Sequence, residues 1–231
     1  WRFFWGLHGE DGELFANEGD MVNIPTGIFR AFKNVGDSYG MLMAILGGDD
    51  AGGGVTWAPE VINDAKDFGL ILGDNGLLYD TKKGESLPEH INPMPLLTKD
   101  ELKNFPVVST EEFIKNFFVS ASDLSSTSQT TPVNVIGENG LLKDRPGFEV
   151  DFITNKTFSD DTHVPNQCEV NMIMKGDWSL EYEGGLTKIS VGDTCLIKPN
   201  LPYKMTPIGS KDASLFRVTK THDTAGPTWR E

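Results

Sequence analysis

The sequence predicts an all-β protein with a helical linker, in which two copies of one β-rich unit flank a mixed segment. Three observations predict this. Residues 19–53 and 192–226 align without a gap at a constant offset of 173 residues. Gly19-Asp20 falls on Gly192-Asp193, Ile24 on Ile197, Gly36 on Gly209 and Leu42 on Leu215. Outside the middle of the chain, short apolar segments are punctuated by Gly and Pro, which favours a sandwich or barrel. Helix start and stop signals are confined to the middle. The expected boundaries are 1–57 for the first unit, 58–131 for the linker and 132–231 for the second unit.

The elements follow in order. Trp1, Phe3 and Trp5 alternate, as on a strand with one apolar face. Gly19–Asn34, GDMVNIPTGIFRAFKN, reads as a strand, a turn at Pro25-Thr26-Gly27 and a second strand. GMLMAILGG (40–48) is apolar on both faces, as in a strand between two layers. In APEVINDAKDFG (58–69), Pro59 sits near the first helical position, and Val61, Ile62, Ala65 and Phe68 share a face. Gly69 marks the stop. GDNGLLYD contains an Asn-Gly turn and predicts a small hairpin. Thr98 with Glu101, and Ser109 with Glu112, have the spacing of capping boxes for two short helices. The run SASDLSSTSQTTP (120–132) reads as a polar linker. CEVNMIMKG is a short strand, and WSLEYEGGLTKIS is two strands about Gly184-Gly185. AGGGVTW (51–57) also resembles AGPTW (225–229), and Trp1 corresponds to Trp178 after a small loop insertion. The second copy has strand-like material back to about Pro132, whereas the chain begins at Trp1. The expectation is that roughly 45 residues of the first unit precede Trp1 in a longer protein.

The formal charge is −14 over 231 residues. Nucleic acid and anionic membrane both require a basic surface, so neither is expected as a partner. No apolar run approaches the ~18 residues of a membrane helix. Cys168 and Cys195 are too few for a disulfide framework and form no Cys-x-x-Cys pair. A soluble, cytoplasmic protein is expected over a secreted one. The acidic runs GEDGE, GGDD and SDD lack the spacing of a calcium loop and read as solvated turns. His8, His90 and His222 read as surface histidines.

Gly19–Asn34 resembles the second conserved motif of the cupin superfamily, G-x5-P-x-G-x2-H-x3-N. Gly19, Pro25, Gly27 and Asn34 match, and Arg30 stands where the motif has histidine. GDTCLIKPNLPYKM resembles the same motif with Lys198 for proline, Asn200 for glycine and Tyr203 for histidine. Asn200 is acceptable there if the backbone is left-handed. HVPNQCEVNMIMKG resembles part of the first cupin motif. His163 matches the first histidine, Pro165 stands for the second, and Glu169 and Gly176 match the glutamate and closing glycine. The resemblance covers about 50 residues at the start and about 100 at the end. It implies a bicupin, two jelly-roll β-barrels in one chain with the first incomplete, of dioxygenase-like ancestry and assembling as a homo-oligomer.

Active cupins hold a transition metal with imidazoles and a carboxylate. The resemblance leaves His163 and Glu169 as metal ligands, for one divalent ion (iron, manganese, copper, nickel or zinc) or for none. Arg30 has no lone pair to offer a metal. An enclosed guanidinium needs a partner, and its fork suits a carboxylate. Arg30, Phe32 and Trp5 in the first unit and Tyr203 in the second are therefore the candidate ligand-binding residues, with a small acidic or aromatic molecule as ligand. Structural roles stand beside these: a salt bridge or solvent-facing arginine at 30, a loop histidine at 163, and hydrogen-bonded wall residues at 169 and 203. The functional expectation is a bicupin with eroded metal motifs that binds a small molecule. The alternatives are an active metal-dependent dioxygenase, a metal-free isomerase-like enzyme using Arg30, Tyr203 and Glu169, and a structural or assembly bicupin.

Overall fold

A computed structural model describes residues 1–47, 55–209 and 212–225. The GGDD turn, the Ala-Gly segments about 51–54 and 226–229, and the His222 side chain lie outside the described residues. The chain runs β1 (Arg2–Trp5), β2 (Gly12–Phe15), β3 (Met21–Val22), β4 (Arg30–Lys33), α1 (Pro59–Asp67), β5 (Leu70–Leu72) and β6 (Leu78–Asp80). It continues through a 3-10 turn (Thr81–Lys83), α2 (Lys99–Leu102), α3 (Thr110–Phe117), β7 (Phe118–Val119) and α4 (Ala121–Thr127). The last strands are β8 (Val133–Ile136), β9 (Arg145–Thr154), β10 (Glu169–Lys175), β11 (Asp177–Tyr182), β12 (Gly185–Ile189), β13 (Thr194–Ile197), β14 (Tyr203–Ile208) and β15 (Ser214–Ala225). The architecture is mixed, since the helices pack into the cores. No helix among the described residues is long and apolar enough to cross a membrane.

The second unit has two antiparallel sheets, in the orders β13-β10-β15-β9-β8 and β12-β11-β14. This is compatible with a jelly roll, although a closed barrel is not formed among the described residues. Ile173, Trp178, Leu180, Ile197, Met205 and Leu215 make one core. The other face of the five-stranded sheet sends Phe148, Val150, Phe152, Met172, Phe216 and Val218 into a second core with Leu124 of α4. Neighbouring residues of a strand point to opposite faces, so Met172 and Ile173 enter different cores. That explains why β10 is apolar on both sides. The second layer is supplied by α4 and β7.

The register makes the internal repeat visible. β1 pairs with β2 and β4 as β11 pairs with β12 and β14. Trp5 lies opposite Gly12 and Arg30, and Tyr182 lies opposite Gly185 and Tyr203. The insertion sits in the first hairpin, whose turn is longer than the Glu183-Gly184 turn. The Gly-Asp turns agree in detail. Asn17 N donates to Asp20 Oδ2 at 2.7 Å, and Ser190 N donates to Asp193 Oδ2 at 2.8 Å. Gly19 and Gly192 are left-handed, with φ of 83° and 88°. Gly27 and Asn200 are left-handed too, at 93° and 61°, which is the condition under which asparagine replaces that glycine.

The two units differ in the strands they form among the described residues. The stretch 40–47, expected to be a strand, forms none. Its counterpart β15 lies between β10 and β9, whereas the described first unit offers no such neighbours, and an isolated strand leaves its backbone groups unpaired. The seat that β10 takes beside β13 is taken beside β3 by β7, with Met21 opposite Val119. Helix α3 then covers the three-stranded sheet, burying Phe113 and Phe117 against Trp5, Leu14 and Ile28.

The linker follows its local signals in part. Pro59 opens α1, and Gly69 closes it at φ 81°. β5 and β6 form the expected hairpin. Thr98 and Glu101 make a complete capping box, while at α3 only Ser109 accepts a bond, from Glu112 N. The run 120–132 corrects the expectation of a polar linker. Ser120 accepts from Asp123 N and caps α4, and Leu124 is fully buried. One apolar side chain seated in a core outweighs the weak helix propensity of the serines.

Candidate ligand site in the second unit

Period-two placement builds the site. Glu169 and Asn171 of β10 face the same side as their cross-strand partners Thr219 and Arg217 of β15. Tyr203 opens β14 just beyond the left-handed Asn200, whose N–H donates to Pro165 O at 2.8 Å. That bond holds the 163–167 loop against the strand. His163 N donates to Tyr203 O at 2.8 Å, and Tyr203 N to His163 O at 2.9 Å.

These strands converge on one carboxylate. Glu169 is 3% exposed. Its Oε2 accepts from Tyr203 OH at 2.8 Å. Its Oε1 accepts from Thr219 Oγ1 at 3.2 Å and lies 3.0 Å from His163 Nε2. The ring of His163 meets that of Tyr203 edge-on, with centroids 5.3 Å apart. Burial pushes the Tyr203 hydroxyl well above the ordinary tyrosine range, with Glu169 adding to the shift and Arg217 and Asn171 opposing it. The phenol therefore stays neutral and donates its proton.

Asn171 lies beneath, fully buried, and its Nδ2 donates to Tyr203 OH at 3.2 Å. The phenolic proton is committed to Glu169, so the oxygen can only accept from Asn171. That orients the amide and leaves Asn171 Oδ1 buried with no hydrogen-bond partner. Arg217 Nε is likewise buried and unpartnered, and its guanidinium lies 5.9 Å from the centroid of the Tyr203 ring. Cys195 stands opposite Asn171 on β13, and burial pushes its thiol up, away from the reactive thiolate.

The donor set does not fit a metal. Among the described residues, no group of three or more His, Cys, Asp or Glu is placed to hold an ion. His163 and Glu169 do meet, but His163 Nε2 is turned to the carboxylate, and both carboxylate oxygens are engaged by the protein.

The expected residues thus divide. His163, Glu169 and Tyr203 come together. Arg30 and Phe32 line a separate open cleft of about 1470 Å³ with Phe3, Phe29, Met41 and Phe148. Arg30 is exposed rather than enclosed, and its side chain makes no ion pair or hydrogen bond among the described residues. Phe32, 46% exposed, tilts against Phe3. Trp5 is a core residue at 1% exposure, stacked on Phe113 at 4.0 Å and donating its indole N–H to Val108 O at 2.7 Å. Sequence reasoning missed Asn171, Thr219 and Arg217. Their signal is Glu169-x-Asn171 and Arg217-x-Thr219, polar residues two apart in strands with apolar neighbours.

No family model and no curated protein matches the chain. Solved structures that match include a cupin-2 domain-containing protein from Shewanella frigidimarina, at 11% identity and TM-score 0.35 over 44% of this chain and 93% of that one. Protein NMB1881 from Neisseria meningitidis matches at 12% identity and TM-score 0.35, over 45% of this chain and 98% of that one. An RmlC-like cupin family protein with a double-stranded β-helix fold from Methanocaldococcus jannaschii matches at 19% identity and TM-score 0.31, over 40% and 83%. Each of these likenesses is partial.

Proposed function

We propose that the chain is a degenerate bicupin that binds a small polar molecule at the mouth of its second unit without a metal. In this reading, 1–57 and 132–231 are the two cupin units, and 58–131 is the linker. The observation that carries it is the buried Glu169 carboxylate, which Tyr203, Thr219 and His163 hold in a hydrogen-bond network where the cupin motif places a metal ligand. A buried polar network in an apolar core orders the groups around it and offers few, directed contacts to a ligand. The motif residues Gly19, Gly27, Gly192 and Asn200, each left-handed where the motif turns, support the cupin assignment. Metal-dependent oxygenase chemistry rests on the contact between His163 and Glu169, and it would need both groups to exchange their present partners for the ion.

Two measurements test this reading. Protein purified without an affinity tag is expected to carry far less than one iron, manganese, copper, nickel or zinc per chain. Stoichiometric metal that disappears in His163→Ala would sink it. In a screen of small polar molecules followed by protein NMR, saturable shifts are expected at Tyr203, Asn171 and Arg217. Responses confined to Arg30 and Phe32 would move the site to the first unit.

A further inference from the structure

We infer that Asn171 and Arg217 form a subsite for a neutral carboxamide group, which rests on the second unit being the binding unit. The two residues are cross-strand partners on β10 and β15. Asn171 Oδ1 is an acceptor and Arg217 Nε–H a donor, both buried and both without a partner among the described residues. Leaving such atoms unpaired is costly, and native structures rarely tolerate it without a water or ligand. The Asn171 amide cannot turn over to relieve this, because Tyr203 OH requires its Nδ2. A group that complements the pair presents one acceptor and one donor side by side. A primary amide does so, with its C=O accepting from Arg217 and its N–H donating to Asn171.

Charge selects the amide over a carboxylate. Glu169 lies two residues from Asn171 on β10, and Asp151 and Glu149 of β9 stand in register with Arg217 and Thr219. Asp151 Oδ1 accepts from Asn134 Nδ2 at 3.0 Å. From the remaining elements, the loop brings His163 and β14 brings the neutral Tyr203 phenol. Three carboxylates therefore share this face with one guanidinium, and a ligand carboxylate would add a fourth negative group. It would also have no proton to give Asn171 Oδ1.

The test is a pair of NMR titrations of the isotope-labelled chain with acetamide and with sodium acetate at constant ionic strength. The Arg217 Nε–H and Asn171 side-chain amide signals are followed. Acetamide is expected to shift both saturably, with an apparent Kd at least tenfold below that of acetate. Acetate binding at this pair as tightly as acetamide would overturn the ligand class while leaving the binding unit in place. No response of either signal to either probe would overturn the subsite and identify the pair as bridged by water alone. Acetamide shifts mapping only to the first unit would overturn both the subsite and the reading beneath it.

Discussion

Tyr203 gives its phenolic proton to Glu169 Oε2 at 2.8 Å and takes a hydrogen bond from Asn171 Nδ2 at 3.2 Å, so one hydroxyl fixes two buried polar side chains. Removing it takes the donor from Glu169 Oε2 and this acceptor from Asn171 Nδ2, while Glu169 Oε1 keeps Thr219.

Tyr203→Phe should therefore destabilise the fold despite its near-identical shape. Glu169 Oε2 loses its donor and Asn171 Nδ2 its acceptor, and each unsatisfied buried group costs about 1–3 kcal/mol. For a chain of this length, that lowers Tm by about 2–4 °C for each kcal/mol. Thermal unfolding of the variant beside wild type reads this directly. An unchanged Tm would show that the hydroxyl holds nothing.

Stability should fall at high pH. Burial raises the hydroxyl of folded Tyr203 above the ordinary value near 10, which the unfolded chain keeps. Above about pH 10 the unfolded state loses this proton first and binds fewer protons than the native state, so the unfolding free energy declines as pH rises. Below that range the contribution is fully present. Urea unfolding from pH 8 to 11.5 should show the decline in wild type and a weaker one in Tyr203→Phe. Tyrosinate absorbance at high pH should rise when urea unfolds the wild-type chain.

Leu124→Ala separates a seated helix from a surface linker. Leu124 is fully buried among Val133, Phe152 and Val218, and truncating such a residue costs about 2–5 kcal/mol. A loss within about 0.5 kcal/mol in urea unfolding, the usual surface value, would return 120–132 to the status of a linker.

Asn200 tests the turn. At φ 61°, Asn200→Gly should be neutral or slightly stabilising, whereas Asn200→Ala should cost about 1–2 kcal/mol, because a Cβ without a hydrogen-bonding group strains the left-handed region. Equal midpoints for the two variants in urea would remove backbone strain as the reason for asparagine.

Much of the fold was legible because turn chemistry is local. Gly19, Gly27, Gly192 and Asn200 are left-handed where the two repeats turn, and Pro59, Gly69 and Thr98 punctuate the linker as their chemistry requires. The strand expected at 40–47 failed for a non-local reason, since pairing needs neighbouring strands that the described first unit does not supply. The candidate site was half legible. His163 and Glu169 match motif positions and Tyr203 stands where the motif has histidine, whereas Asn171 and Arg217 matter only as cross-strand partners 46 residues apart.

The sequence by itself determined the repeat, its turns and the alternation that sends Glu169 and Asn171 to one face. Each depends on backbone sterics within a few residues. Only the tertiary structure decided that Arg30 meets solvent, that Trp5 is core, that Leu124 anchors a helix, and that the carboxylate of Glu169 is spent on protein partners. Those outcomes depend on which distant elements cover a side chain, and burial and pairing are properties of the assembled layers rather than of any local stretch.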